Sequence, residues 1–429
     1  MSDIIGRRKF FRNTAFVSAA GIALPQTVRA TTAAGKDRVV IGIMGLNRGL
    51  ELAKRFGKRQ DVEIRYVSDV DETRLQKCLK QLAAEGHDQV KGLADFRQIL
   101  DDPSVDAFVC AAPNHWHAPA TILACQAGKH VYVEKPCSHT PEEGELMLQA
   151  ARKHQRAVQV GTQRRSSGGT IQAIEQLRNG LLGRVYLARC WYDNARGSIG
   201  KQSPTTAPNT LNYELWQGPA PRRPFRQNVV HYNWHWHWHW GNGELGNNGV
   251  HTLDLCRWGL AADYPIRVTS SGGRYAYDDD QETPDTHTVC FDFEDDRSIS
   301  WQGLSCNKHG QGFVTFYGTE GTLELQSNGN FRFFDRNNQV KLEVTDSNKG
   351  DDEHIENFIQ AIQNDEASSL NASLDDGHKS ALLCHLGNIA YRTNRSLACN
   401  GSNGQIKNDK LAARHWTRPY EPGWEPKVL

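Results

Sequence analysis

The chain has little net charge of either sign. Its 50 Lys and Arg against 49 Asp and Glu leave a formal +1, so there is no electrostatic case for a nucleic-acid or anionic-membrane partner. Its ten cysteines include no C-x-x-C pair, which argues against a zinc ribbon or a thioredoxin-type motif, and no particular disulfide is assigned. It shows no internal repeat. No apolar run reaches the ~20 residues needed to cross a bilayer, so stable membrane insertion is not expected. The one charge imbalance lies at the start. Residues 1–30 hold five cations (Arg7, Arg8, Lys9, Arg12 and Arg29) against Asp3, a net +4, and the remainder therefore carries −3.

That start has an order of its own. The basic stretch Gly6–Arg12 is followed by an apolar run from Thr14 to Pro25 and then by Val28-Arg29-Ala30, the layout of an export signal with a small-residue cleavage site. Paired arginines before Phe10-Phe11 resemble a twin-arginine signal. The expectation is a signal over 1–30 and a polar linker over 31–37. The protein would be handed to the twin-arginine machinery and placed in the periplasm or otherwise outside the cytoplasm.

What is present is enough for two cores: 429 residues, 38% of them hydrophobic. Over 38–164 apolar, β-branched runs alternate with helical patterns. Strands are expected at 38–44, 62–67, 106–110, 130–133 and 157–160, with helices at 50–57, 73–85, 118–127 and 142–154. This rhythm predicts βαβ units around a parallel sheet. Over 165–429 strands dominate, at 185–192, 286–293, 298–304, 312–317 and 321–325, with helices near 250–260, 353–363 and 376–393. The expected class is therefore an α/β Rossmann domain followed by an α+β domain with an open, largely antiparallel mixed sheet. Residues 196–228, rich in Pro, Asn and Thr, are expected to cross the surface as an extended loop.

Candidate site residues fall at strand ends. Gly42, Gly45 and Gly49 follow the first strand, with Asn47 and Arg48 between them. Glycines there let a backbone approach a pyrophosphate at a helix N-terminus, although the turn is one residue shorter than G-x-G-x-x-G. Asp69 closes the second strand, where a carboxylate accepts ribose hydroxyls and repels a 2′-phosphate. It favours NAD over NADP, with Arg74 nearby weakening that preference. Pro113, Asn114 and His117, then Glu134 and Lys135, then Gln163 and Arg164, follow later strands. Buried beside a cofactor, Lys135 can act as a base or orient a hydroxyl.

Farther along, residues 232–240 alternate Trp and His. On a strand this would put His235, His237 and His239 on one face and tryptophans on the other. The histidines would stand ~6–7 Å apart, too far to converge on one ion without a bend, and no metal site is assigned. Both a tryptophan wall on which sugars stack and an interface strand with one aromatic face remain open, and Tyr232 and His235 are expected to contact the substrate. The loop Gly241–Gly249 contains Asn247 and Asn248 and leads into a helix carrying His251 and Asp254; Arg164, Asn248 and His251 are expected to contact the substrate.

Taken in order, Pro113–His117, Glu134-Lys135-Pro136 and Gly241–Asp254 resemble the Gfo/Idh/MocA dehydrogenases, as does the end Trp416–Tyr420. The resemblance implies a Rossmann domain, a second open sheet that assembles in dimers or tetramers, and a nicotinamide cofactor. It matches Lys135 to the lysine at the substrate hydroxyl and His251 to the proton-transfer histidine. Asn114, His117, Glu134 and Gln163 match the cofactor side. The family's aspartate four residues before that histidine is Asn247 here. An amide takes no proton, so the duty shifts to His251 or Lys135. The expected activity is hydride transfer to or from a sugar, polyol or glycoside, with NAD held tightly and recycled within the site. Two alternatives stand beside it. One is glycoside cleavage through a transient 3-keto sugar; the other is a non-catalytic sugar- or cofactor-binding protein.

Overall fold

A computed structural model describes residues 38–310, 312–346 and 348–429. The twin-arginine signal and the 31–37 linker lie outside the described residues.

The first sheet is built from β1 (Val39–Met44), β2 (Val62–Ser68), β3 (Lys91–Leu93), β4 (Ala107–Cys110), β5 (His130–Val133) and β6 (Val158–Val160). All pairings are parallel and the order is β3-β2-β1-β4-β5-β6, the doubly wound arrangement. Strands such as β4 are buried throughout, because helices cover both faces. The helices are α1 (Arg48–Gly57), α2 (Glu72–Ala84), a short α3 (Arg97–Asp101), α4 (Asn114–Gln126) and α5 (Pro141–Lys153). β3 has no counterpart in the sequence reading: Lys-Gly-Leu is a short, mostly exposed edge with no apolar run to mark it.

Helix α4 begins four residues earlier than expected. Its internal Pro119 reads as a helix start in sequence, since proline has no N–H to give the preceding turn. The carbonyl left free is that of His115, and Arg418 Nη2 donates to it at 2.8 Å. The chain's far end thus completes a helix 300 residues away.

The second sheet has the order β15-β14-β13-β12-β7-β10-β9-β8-β16. In chain order these are β7 (Val185–Ala195), β8 (Arg267–Gly273), β9 (Thr286–Phe293), β10 (Arg297–Leu304), β12 (Val314–Gly318), β13 (Gly321–Leu325), β14 (Phe331–Asp335), β15 (Val340–Val344) and β16 (Leu397–Ala398), with β11 (Cys306–Asn307) beside β7. Only β7 and β10 run parallel; the other pairs are antiparallel. β8 reads Arg-Val-Thr-Ser-Ser-Gly-Gly and lacks the apolar alternation that marks a strand. Helices α6 (Gly168–Arg178), α8 (Val250–Leu260) and α10 (Leu374–Thr393) supply Ile174, Leu253 and Leu386 to the same core as Trp301 and Phe316.

Helix α9 (Asp351–Gln363) belongs to the second half by sequence yet covers the first sheet, with Phe358 edge-on to Tyr132 at 5.9 Å. Residues 196–228 are not merely an extended crossing. They contain α7 (Tyr213–Gln217) and bury Trp216, Ala220 and Phe225 in a small core of their own. Residues 232–240 form no strand. A 3-10 turn (Asn233–Trp236) and further turns bury Trp234, Trp236 and Trp240, because these rings join that small core and the surrounding loops rather than one flat sheet face. Among the described residues no helix is long and apolar enough to cross a membrane.

Candidate active site

A crevice of about 350 Å³ opens at the carboxyl ends of β1, β2, β4 and β5. Gly45 lies in the left-handed region at φ 86°. A Cβ there would stand 2.6 Å from the Ala111 carbonyl oxygen, so the β1–α1 turn passes the β4–α4 loop as glycine alone permits. Gly42 and Gly49 do not reach the crevice. They face Ile99 and Ile43 and allow helices to pack closely on β1.

The helix ends differ in a way that bears on ligand binding. α2, α5, α6 and α10 cap their own first turns with Asp71, Thr140, Ser167 and Ser373. α1 and α4 begin at the crevice with Asn47 and Pro113 and have no side-chain cap. Their amide donors and positive dipole ends remain available to an anion. This fits the pyrophosphate of a dinucleotide.

Asp69 borders the same end. Its carboxylate accepts from the amides of Leu46 at 2.8 Å and Asp71 at 3.0 Å, tying the glycine turn to β2. Burial pushes its proton affinity up, and the two amides oppose the shift. Arg74 also lines the crevice here, as does His231, whose Nε2 lies 2.7 Å from Asp71 Oδ2.

The middle of the crevice is braced by groups that bind one another. Arg48 Nε is 3.0 Å from Glu134 Oε1 and its Nη2 is 3.2 Å from Asp351 Oδ1; Gln163 donates to that Asp351 oxygen at 3.4 Å. Arg48 therefore joins α1 to the end of β5 and to α9. His117 sits between the carbonyls of Pro136 at 2.6 Å and Ala112 at 2.7 Å, joining the two strand-end loops. Asn114 donates to Asn242 Oδ1 at 3.0 Å.

Lys135 is the amine of the crevice lining. Its Nζ donates to the Asn247 carbonyl at 2.8 Å and to Asn247 Oδ1 at 3.2 Å. Burial lowers its proton affinity, while Glu134 and Glu244 act in the opposite sense. Asn247 lies in a π-helical turn (Leu245–Gly249) ahead of α8, a distortion common at functional sites. Its amide NH2 donates to Glu244 Oε1 at 3.3 Å, and Asn248 donates to the same oxygen. Arg196 Nε is 2.9 Å from Glu244 Oε2. Glu244, buried at 3% exposure, therefore turns the Asn247 amide so that its oxygen faces Lys135.

His251 also lines the crevice. Its buried Nδ1 has no hydrogen-bond partner among the described residues. Burial, followed by the charges of Lys135, Arg164 and Arg48, holds its pKa well below the ordinary histidine value, so the ring is neutral near pH 7.

Two residues expected at the substrate lie elsewhere. Asn248 is committed to Glu244, and Arg164 lies over the Phe313 ring at 5.8 Å, outside the crevice lining. The π-type turn that contains Asn248, which the sequence spacing does not reveal, directs it to Glu244. Tyr232 and His235 do reach the crevice, with Trp234 stacked on His235 at 3.6 Å between ring centroids. His237 and His239 part company with them. The former lies 3.7 Å from Glu282 and the latter 2.7 Å from the Pro221 carbonyl.

Glu244 and His231 were not assigned roles by sequence. Glu244 stands in a Gly- and Asn-rich loop whose π-type turn follows neither helical nor strand spacing. The assembled site joins an amine of lowered proton affinity and a neutral imidazole with a free nitrogen to a dinucleotide-shaped anion cradle.

Residues 38–162 match the description "Oxidoreductase family, NAD-binding Rossmann fold", and residues 190–426 match "Oxidoreductase family, C-terminal alpha/beta domain". Myo-inositol 2-dehydrogenase of Thermotoga maritima is 29% identical over 150 residues, 35% of this chain and 43% of that protein. Levoglucosan dehydrogenase of Pseudarthrobacter phenanthrenivorans is 28% identical over 165 residues, 38% of this chain and 35% of that protein. The matches thus span less than half the length of these relatives. The crystal structure of GenD2 from gentamicin A biosynthesis in complex with NAD aligns with TM-score 0.65 and 19% identity, covering 88% of this chain and 99% of that one. At that identity the likeness is one of fold.

Proposed function

The chain belongs to the Gfo/Idh/MocA oxidoreductase family, and we propose that it moves a hydride between a nicotinamide dinucleotide and a secondary alcohol of a sugar, polyol or glycoside. The observation that carries this is the meeting of Lys135 and the unpartnered His251 Nδ1 in one crevice with two uncapped helix N-termini.

When bound, the nicotinamide supplies the hydride acceptor or donor. The protein's part is the hydroxyl proton. Lys135, with its lowered proton affinity, accepts the hydroxyl proton in its neutral form. His251 stays neutral and positions the hydroxyl through Nδ1. Asn247, oriented by Glu244, holds the Lys135 ammonium once it is protonated. NAD is the proposed cofactor, because Asp69 opposes a 2′-phosphate and accepts ribose hydroxyls. Export by the twin-arginine route, internal recycling of a retained cofactor and assembly through the second sheet belong to the same proposal. They rest on the basic start, on the scarcity of free NAD expected outside the cytoplasm and on the family resemblance.

The test is to purify the full chain, denature a portion to release bound nucleotide, and follow nicotinamide absorbance with a panel of sugars, polyols and glycosides. Reduction by at least one of them, lost in Lys135→Ala, supports the proposal. An unchanged redox state across the panel, with Lys135→Ala binding the same sugars as wild type, overturns it in favour of a binding protein. Release of the aglycone without net reduction points to glycoside cleavage instead.

A further inference from the structure

A second cavity, of about 340 Å³, lies behind the Trp/His segment. It is walled by the start of α5, the C-terminal half of α10, residues 238–242 and the tail 414–419. Its lining includes Arg223, Arg392, Arg414 and Arg418 and no Asp or Glu. Two of these arginines are answered from outside the lining: Arg418 Nη2 is 2.7 Å from Glu143 and Arg223 is 3.5 Å from Glu282. Arg392 and Arg414, exposed at the rim, have no ion-pair partner among the described residues. Arg392 instead lies over the Trp238 ring at 5.0 Å. Its positive charge helps depress the proton affinity of neighbouring His415, after burial. Glu282 acts on Arg392 from outside the lining, yet the recess gathers four arginines and no acidic side chain, on a body that carries a net negative charge beyond residue 30. That cationic lining suits an oxyanion.

The floor has a different character. It presents His139, His385, Asn242 and Asn388. Burial, as the leading cause, holds His139 well below its usual range and His385 at about 3, so both rings are neutral. Most polar atoms of the floor bond one another or the backbone, while the buried Nδ1 of His139 has no partner among the described residues; the cavity therefore pairs a neutral floor with one free ring nitrogen and one tryptophan wall with a cationic rim. A hydroxylated body suits the floor and the indole, and a single oxyanion suits the rim.

We propose that this cavity is a binding site, separate from the crevice, for a monosaccharide bearing one oxyanion, a carboxylate or a phosphate ester. The two sites share a wall. Asn242 on the cavity floor accepts from Asn114 of the crevice, and the Trp/His segment gives His235 to the crevice and Trp238 and His239 to the cavity.

Isothermal titration calorimetry on the full chain tests this with glucuronate, glucose 6-phosphate, glucose and inorganic phosphate. At least one sugar acid is expected to bind with one-to-one stoichiometry, and more weakly as salt rises. Binding should fall about tenfold or more in Arg392→Ala/Arg414→Ala and in Trp238→Ala, and persist in Lys135→Ala, which alters only the crevice. The stronger of the two acids identifies the oxyanion. Several outcomes overturn the proposal: no binding by either acid, loss in Lys135→Ala but not in the arginine pair, or glucose or phosphate alone binding as tightly as the acids.

Discussion

The two walls of the crevice are made in different ways. One is a row of strand ends, each repeating the same βα step: Gly45 after β1, Asp69 after β2, Asn114 after β4, Lys135 after β5. The other comes from turns with no repeat, the Trp/His segment and the π-type turn that carries Asn247. The first wall offers backbone amides and charges fixed by the sheet. The second adjusts them: Glu244 orients Asn247, Asn247 holds Lys135, and His251 faces the space between. In the proposed reaction the repeated wall supplies the cofactor cradle and the proton acceptor Lys135, and the irregular wall tunes that acceptor.

Substitutions on each wall should separate these roles. Lys135→Ala joins neither function to the other, and kcat/KM is expected to drop about a thousandfold, within the range for a lost general base, with NAD binding changed little. Equal losses in NAD affinity, measured by fluorescence titration, would mean that Lys135 belongs to the cradle instead. His251→Ala should cost about a hundredfold in kcat, and His251→Asn, which keeps a polar group, should recover part of it. Asp69→Ala should raise the KM for NAD about tenfold and narrow the preference over NADP, leaving kcat with saturating cofactor nearly intact.

The smallest effect is the most diagnostic. In the proposed reaction alcohol oxidation needs neutral Lys135, so its rate is expected to rise with pH through the Lys135 pKa, which lies below the ordinary lysine value. Glu244 acts to raise that pKa. Glu244→Gln should therefore move the rising limb to lower pH, and Asn247→Asp, which sets a carboxylate beside Nζ, should move it to higher pH. A pH profile unmoved by both would show that the irregular wall does not tune the lysine.

Legibility follows the same division. The parallel strands announce themselves as apolar β-branched runs, because both faces of that sheet are covered. Asp69, Asn114 and Lys135 could be placed because each directly follows such a run. β3 and β8 escape notice because Lys-Gly-Leu and Ser-Ser-Gly-Gly carry no periodic apolar signal; α6 repeats Ala173, Ile174 and Leu177 at helical spacing, but its Gly-Gly start disguises the helix. The Trp/His segment misleads for the opposite reason. Its alternation has the period of a strand, but its large rings are buried in several directions by α7, the 219–229 loop and the crevice.

By itself, then, the sequence determined the doubly wound sheet, the second mixed sheet and the order in which polar residues meet strand ends, since these depend on local periodicity and on glycine and proline at turns. Tertiary structure alone decided which of those residues share a cavity. It returned α9 to the first sheet, brought Arg418 to the carbonyl that Pro119 leaves open, turned Asn248 and Arg164 away from the crevice and set Glu244 behind Asn247. Each of these is a contact between segments distant in sequence, or a rotation introduced by an irregular turn, and neither leaves a mark in local composition.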